Sequence, residues 1–276
     1  TARIKGCYVD YGGKHGIGLV TDADNSDVTV EDCRAEQCSP YGSQSPWVSY
    51  MSGATKTGNI HRYIRCITDK NSGLIGSTAG QSDNQSIWLS HNSGSGTQFA
   101  EFEFLDCLFP SGNVAVGIST LITMEGCTFG SVLNYCPTIN INRCKFDNKG
   151  LDILTTDPCT TTMRNCLIVP TSVFQGGIWT GFQARSTMVM EGNTFDLRSV
   201  PGTDDSARSV LLRVGALVLT FRNNAFIVPS DQQYTVLDSG VNTDTLTFSN
   251  NCYILGSSLK VVNGYNDGST TADRTL

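Results

Sequence analysis

Apolar positions along this chain do not keep the 3.6-residue period of a helix. They gather instead at fixed distances on either side of one recurring residue. The clearest instance is a pair of hexapeptides, MEGCTF at 124–129 and MEGNTF at 190–195, whose first residues lie 66 positions apart. Aligned on Cys127 and Asn193, the pattern recurs as IKGCYV, VEDCRA, YIRCIT, FLDCLF, INRCKF, MRNCLI, FRNNAF and FSNNCY, ten copies in all. The anchors are Cys7, Cys33, Cys66, Cys107, Cys127, Cys144, Cys166, Asn193, Asn224 and Asn251, separated by 17 to 41 residues.

Three residues before the anchor stand Ile4, Val30, Tyr63, Phe104, Met124, Ile141, Met163, Met190, Phe221 and Phe248, all apolar or aromatic. Two residues after it come Val9, Ala35, Thr68, Phe109, Phe129, Phe146, Ile168, Phe195, Phe226 and Tyr253. In an unbroken strand these two positions would face opposite ways, because side chains alternate with period two. A one-residue bend restores a common face. The residue just before the anchor is Gly, Asp or Asn in eight of ten copies, the types that tolerate positive φ. Each copy therefore reads as strand, bend, strand.

Strands repeated at the length of one chain coil, with no helical pattern between them, predict a parallel β-solenoid in which each coil stacks on its neighbours. At roughly 22 residues per coil, the 66-residue interval is three coils. The expected fold is all-β, a single-stranded right-handed parallel β-helix of about ten coils, a rod on the order of 50 Å long. One elongated domain over residues 1–276 is the simplest count. Because the chain opens on a rung at Ile4 without a polar cap, it reads as a piece of a longer protein.

The positions between the apolar ones sharpen this picture. Two residues before the anchor, Arg164, Glu191 and Arg222 follow one another on successive copies, and Lys5 precedes Glu31, as expected for cross-strand charge ladders. Outward Ile64, Leu105 and Val189 interrupt that polar pattern and predict local apolar patches. His61 falls five residues before its anchor, where other copies carry Val28, Phe102, Ile122, Ile139, Met188, Leu219 and Leu246, so it is expected in the core. Asn193, Asn224 and Asn251 are interior amides that must find partners, whereas the thiols at the other seven anchors are expected to need none.

The G/N-C/N-x-F element, with its bend and interior ladder, resembles that of the right-handed parallel β-helix superfamily of pectate lyases, polygalacturonases and phage tailspikes. Similarity to the tailspikes implies a homotrimer with rods side by side. It also implies a bacterial surface polysaccharide as partner, and a virion or extracellular location. The polygalacturonase motifs NTD, DD, GHG and RIK do not carry over. Here RIK stands at Arg3–Lys5, KHG at Lys14–Gly16, DD at Asp204–Asp205 and NTD at Asn242–Asp244, which is the reverse order. RIK and NTD lie some 40 Å apart along such a stack, whereas inverting carboxylates stand about 6.5–9.5 Å apart.

Composition narrows the classes further. With 28 Gly, 16% charged residues and 39% hydrophobic residues, the chain looks like an extracellular or virion β-protein. A net charge of −6 argues against nucleic acid and anionic membranes as partners. The longest apolar run, LLRVGALVLTF, is too short for a membrane span and contains Arg213. Eleven cysteines without CxxC or Cys/His spacing suggest neither zinc nor any other cofactor. An interior column of free thiols suggests assembly in a reducing cytoplasm.

Candidate chemistry falls on the longest connections, Cys33–Cys66 and Cys66–Cys107, the second of which leaves room for an extra rung around SIWLSH. Trp47, Tyr50, Arg62 and Trp88 are the expected glycan-binding set, ring faces stacking on sugars and polar groups ordering hydroxyls. Asp22, Asp24, Asp83, Lys56 and His91 are the expected catalytic set. Paired carboxylates would support hydrolysis, and a base beside a cation would support β-elimination. The segment TDADNSD at 21–27 also mimics the start of a calcium loop, but its sixth and twelfth loop positions, Asp27 and Cys33, are wrong, so a solvated turn with no metal is expected. Two functions follow, a tailspike-like polysaccharide depolymerase or a non-catalytic fibre or glycan-binding adhesin.

Overall fold

The computed structural model describes residues 1–10, 17–21, 23–36, 47–51, 58–68, 85–89, 100–116, 120–134, 138–153, 159–169, 177–180, 186–196, 198, 209–213, 216–227, 234–238, 245–254, 259–266 and 271–275. Every regular element among them is a β-strand. The chain divides into two compact units, Thr1–Thr138 and Ile139–Leu276.

The first unit contains β1 (Ala2–Lys5), β2 (Tyr8–Asp10), β3 (Ile17–Thr21), β4 (Asp27–Glu31), β5 (Arg34–Glu36) and β6 (Trp47–Met51). It continues with β7 (Asn59–Ile64), β8 (Gln85–Leu89), β9 (Ala100–Leu105), β10 (Leu108–Val116), β11 (Leu121–Glu125) and β12 (Thr128–Asn134). Strands β1, β4, β7, β9 and β11 lie side by side in that order, and β3, β6, β8, β10 and β12 form a second row. Each parallel neighbour is thus reached by way of the other row, which is the strand order of a parallel β-solenoid. Because β7 pairs directly with β9 and β8 lies in the second row between β6 and β10, SIWLSH adds no strand to the first row.

The second unit begins within β13 (Thr138–Asn142) and contains β14 (Lys145–Ile153), β15 (Thr160–Arg164), β16 (Leu167–Ile168), β17 (Gly177–Thr180), β18 (Ser186–Glu191) and β19 (Thr194–Asp196). It continues with β20 (Ser209–Arg213), β21 (Ala216–Arg222), β22 (Ala225–Ile227), β23 (Tyr234–Asp238) and β24 (Thr245–Ser249). The last strands are β25 (Cys252–Ile254), β26 (Leu259–Asn266) and β27 (Thr271–Thr275). Its rows run β13, β15, β18, β21, β24 and β14, β17, β20, β23, β26, with β16, β19, β22 and β25 branching from β14. Only β27 departs among the described pairings, lying antiparallel on β26.

The predicted columns are in register. Ile4, Val30, Tyr63, Phe104 and Met124 are successive cross-strand partners. So are Phe146, Ile168, Phe195, Phe226 and Tyr253 in the second unit. Met124, Cys127 and Phe129 point inward together, as do Met190, Asn193 and Phe195, all at 1% exposure or less. Rings stack up the columns, Tyr63 on Phe104 at 5.3 Å and Phe195 on Phe226 at 4.9 Å between centroids. His61 is fully buried against the edge of Phe102. That burial pushes its imidazole down to about 4.

All ten bends carry positive φ, between 50° and 66°, including the two the residue types did not announce, Arg65 and Arg143. An L-residue there costs about 1 kcal/mol, so something holds the conformation. The bend amide donates to the next rung: Arg65 N–H to the Leu105 carbonyl at 2.8 Å, Arg143 N–H to the Arg164 carbonyl at 3.0 Å, Asp106 N–H to the Glu125 carbonyl at 2.9 Å. At Gly126 a side chain would be strained by the φ of 66°, and its Cβ would push aside the Asp106 carboxylate of the preceding rung.

The anchors behave differently from the expectation for thiols. Asn193 accepts from Cys166 N–H at 2.9 Å and donates to the Met163 carbonyl at 3.1 Å, both on the preceding rung. Asn224 repeats this with Asn193 N–H and the Met190 carbonyl, and Asn251 with Asn224 N–H and the Phe221 carbonyl. The sulfurs occupy the same bonding positions. Cys33 accepts from Cys7 N–H, Cys127 from Cys107 N–H and Cys166 from Cys144 N–H, at 3.3–3.4 Å. Cys66 and Cys107 lie within donating reach of the Val30 and Tyr63 carbonyls at 3.4 and 3.2 Å, the counterparts of Met163. Thiols at these anchors therefore do the work of asparagine amides.

Candidate functional site

The outward ladders form as the charge pattern predicts. Glu191 binds Arg164 at 3.2 Å and Arg222 at 2.8 Å. Glu31 gathers Arg3, Lys5 and Arg65, and Arg65 also holds Asp32 at 2.6 Å. The guanidinium of Arg3 holds the Glu31 carboxyl below the usual range, and that of Arg222 does the same for Glu191. The RIK match at Arg3–Lys5 is thereby explained as one end of a ladder on β1.

Of the candidate residues, Arg62 is the best defined. It sits on β7 beside Glu103 of β9, its cross-strand partner. Its guanidinium donates to Glu103 and to Asp27 of β4, each at 2.6 Å, and the bond to Asp27 raises its pKa further. Sequence reasoning missed Glu103. Comparing residues four before each anchor, Arg62 and Glu103, would have paired them.

Asp24 is exposed in the turn before β4. That turn is held by its neighbours: Asn25 takes φ of 56°, Ser26 N–H donates to the buried Asn59 side chain at 2.7 Å, and Ile60 N–H donates to the Ser26 carbonyl at 2.8 Å. No cluster of metal-ligating side chains occurs among the described residues. Asp22, Lys56, Asp83 and His91 lie outside the described residues, as do Asp204 and Asp205.

The second row of the first unit brings three candidates onto adjacent strands. Tyr50 and Trp47 are on β6, partnered by Val20 and Ile17 of β3. Trp88 is on β8, opposite Val48 of β6 and Ala115 of β10. Trp47 itself pairs with Ile87, so the two tryptophans are one register place apart rather than opposite one another.

One carboxylate in the second unit carries a signal no motif gave. Asp147 is pushed above the usual range by burial, with Lys145 Nζ at 3.6 Å. Asp196, at the same distance from its own anchor, is pushed down by its bond to Arg198. Burial against pairing separates the two, and neither is visible in residue identity alone.

Taken together, the fold defines an all-β protein of long parallel sheets compatible with a parallel β-solenoid. Comparison with protein-family models, with curated proteins and with solved structures gives no match.

Proposed function

We propose that the protein is a tailspike-like rod, a right-handed parallel β-helix of about ten coils, that binds and cleaves a bacterial surface polysaccharide outside the cell or on a virion. The observation that carries this reading is the adjacency of β6 and β8, which puts Trp47, Tyr50 and Trp88 on neighbouring strands from which the longest connections leave. Tyr50 and Trp88 fall at the same parity of the β6–β8 register, which suits stacking on successive sugars, whereas Trp47 stands one place out of step with them. Lys56, Asp83 and His91, on those connections, and Asp22 and Asp24, on the earlier connection between β3 and β4, are the proposed acid, base and cation set. Arg62, already holding Asp27 and Glu103, contributes as part of a fixed polar group rather than as a free cation. Copies of the chain would pack as a homotrimer, and the outward cross-strand pair Ile64–Leu105 is a described apolar surface suited to that contact.

A second reading, a non-catalytic fibre or adhesin, is favoured by the electrostatics of the ladders. A general acid needs a raised pKa, whereas Glu31 and Glu191 are held low by arginine. Incubation with a panel of capsules and O-antigens separates the two. Cleavage predicts oligosaccharide release, with a new unsaturated chromophore if the reaction is elimination. Binding without release selects the adhesin. Retention unaffected by Trp47→Ala and Trp88→Ala would remove glycan contact from this row. Release that survives Asp24→Asn and Asp83→Asn but fails in Asp147→Asn would move catalysis to the second unit.

A further inference from the structure

Six of the sequence's cysteines, Cys33, Cys66, Cys107, Cys127, Cys144 and Cys166, sit at buried anchors with 2% exposure or less, and all six are free thiols. The sulfurs of Cys33, Cys127 and Cys166 receive the preceding rung's anchor N–H at 3.3–3.4 Å. Cys33 and Cys107 also face backbone carbonyls of their own or the preceding rung at 3.2 Å. With neighbours that close there is no volume for a substituent on sulfur, and interiors of this density do not open to admit one. The same positions are ordinary, reactive thiols in the unfolded chain.

We propose that the anchor column makes folding conditional on free thiols: the chain closes onto its buried anchors only while those sulfurs are unmodified, and once closed it shields them. The blocking step is thiol–disulfide exchange with a small-molecule disulfide such as oxidised glutathione. The anchor thiol gives up its proton and its sulfur attacks one sulfur of the disulfide. A protein–glutathione S–S bond forms, the original S–S bond breaks, and the departing glutathione thiolate takes up a proton. The attached tripeptide then occupies the place of the next rung and removes the S–H donor. Asn193, Asn224 and Asn251 make the same bonds and have no such chemistry, so the gate acts on the rungs anchored by cysteine. In the folded protein, burial raises the Cys33 and Cys107 thiols, which adds to their steric protection, whereas Cys66, lowered by its hydrogen bond with Cys107, is shielded by packing alone.

Cell-free synthesis of the full chain, in reduced or in oxidised glutathione, tests this, read by protease resistance and by mass spectrometry of each cysteine. Resistance is expected in the reduced arm. In the oxidised arm resistance should be lost, with glutathione on the six anchors, and should return when reductant is added before the protease. Protein folded first and then moved to oxidised glutathione should stay resistant, with those six unmodified. Equal resistance in the two synthesis arms, whether high or low, overturns the proposal. So does sensitivity that reductant fails to reverse, or glutathione found on the six anchors of protein that was already folded.

Discussion

The two regions that teach most, set side by side, are the anchor column of the first unit, built from Cys7, Cys33, Cys66, Cys107 and Cys127, and that of the later rungs, built from Asn193, Asn224 and Asn251. Both take an N–H from the preceding rung and face a carbonyl three residues before its anchor. The asparagine does so with two separate groups at 3.0 Å. The cysteine does so with one polarisable atom: the Cys33 sulfur takes the Cys7 N–H at 3.3 Å and faces the Ile4 carbonyl at 3.9 Å. A buried N–H left without an acceptor costs about 1–3 kcal/mol, so the position selects for an acceptor of the right size before it selects for apolarity. Reading the cysteines as small hydrophobes misses this.

If the two regions differ only at the anchor, their aromatic columns must be equivalent. Phe129→Ala beside Cys127 and Phe195→Ala beside Asn193 should each cost about 3–5 kcal/mol, the usual range for aromatic truncation. Urea denaturation measures both. A Phe195 cost well below the Phe129 cost would mean that the asparagine rungs carry a looser core.

Acid should separate the regions next. His61 lies only in the thiol region, and its pKa in the fold, about 4, is below the ordinary value of 6.5. As pH falls, the unfolded chain binds the proton first. Stability is therefore full above about 6.5 and is lost between there and about 4, by up to about 3 kcal/mol. Thermal melts of His61→Leu across that window should show the loss abolished. A wild-type melting temperature flat from pH 7 to pH 4 would contradict the burial. Glu31 and Glu191, with lowered pKa values, lose their contribution only at more acid pH, below the ordinary carboxylate range.

Much of this architecture could be read directly. The −3, anchor and +2 columns of residue types gave the coil, because burying one face of every rung constrains those positions alone. The bends at Arg65 and Arg143 were illegible, since a strand-to-strand amide, not the residue's own preference, fixes their φ. Partner choice was illegible for a related reason: Arg62 meets Asp27 diagonally across the ladder as well as Glu103 directly beside it. The offset of Trp47 from Trp88 depends on the register of β6 against β8, which the long connections between the anchors conceal.

The smallest effects belong to the outward face. Glu125→Ala, at a half-buried outward position of β11, should fall within about 0.5 kcal/mol of wild type, the usual range for surface substitutions, and Arg222→Ala should leave the melting temperature unchanged at high salt. A large loss from Glu125→Ala would mean that the outer face is covered.

The most direct measurement is the stability of Asn224→Cys against Asn224→Leu, taken from denaturation midpoints under reducing conditions. Leucine matches the amide in shape but accepts nothing from Asn193 N–H, so Asn224→Leu should lose about 1–3 kcal/mol while Asn224→Cys stays close to wild type. Equal losses in the two variants, or a leucine variant as stable as the native chain, would contradict the equivalence of thiol and amide at the anchors.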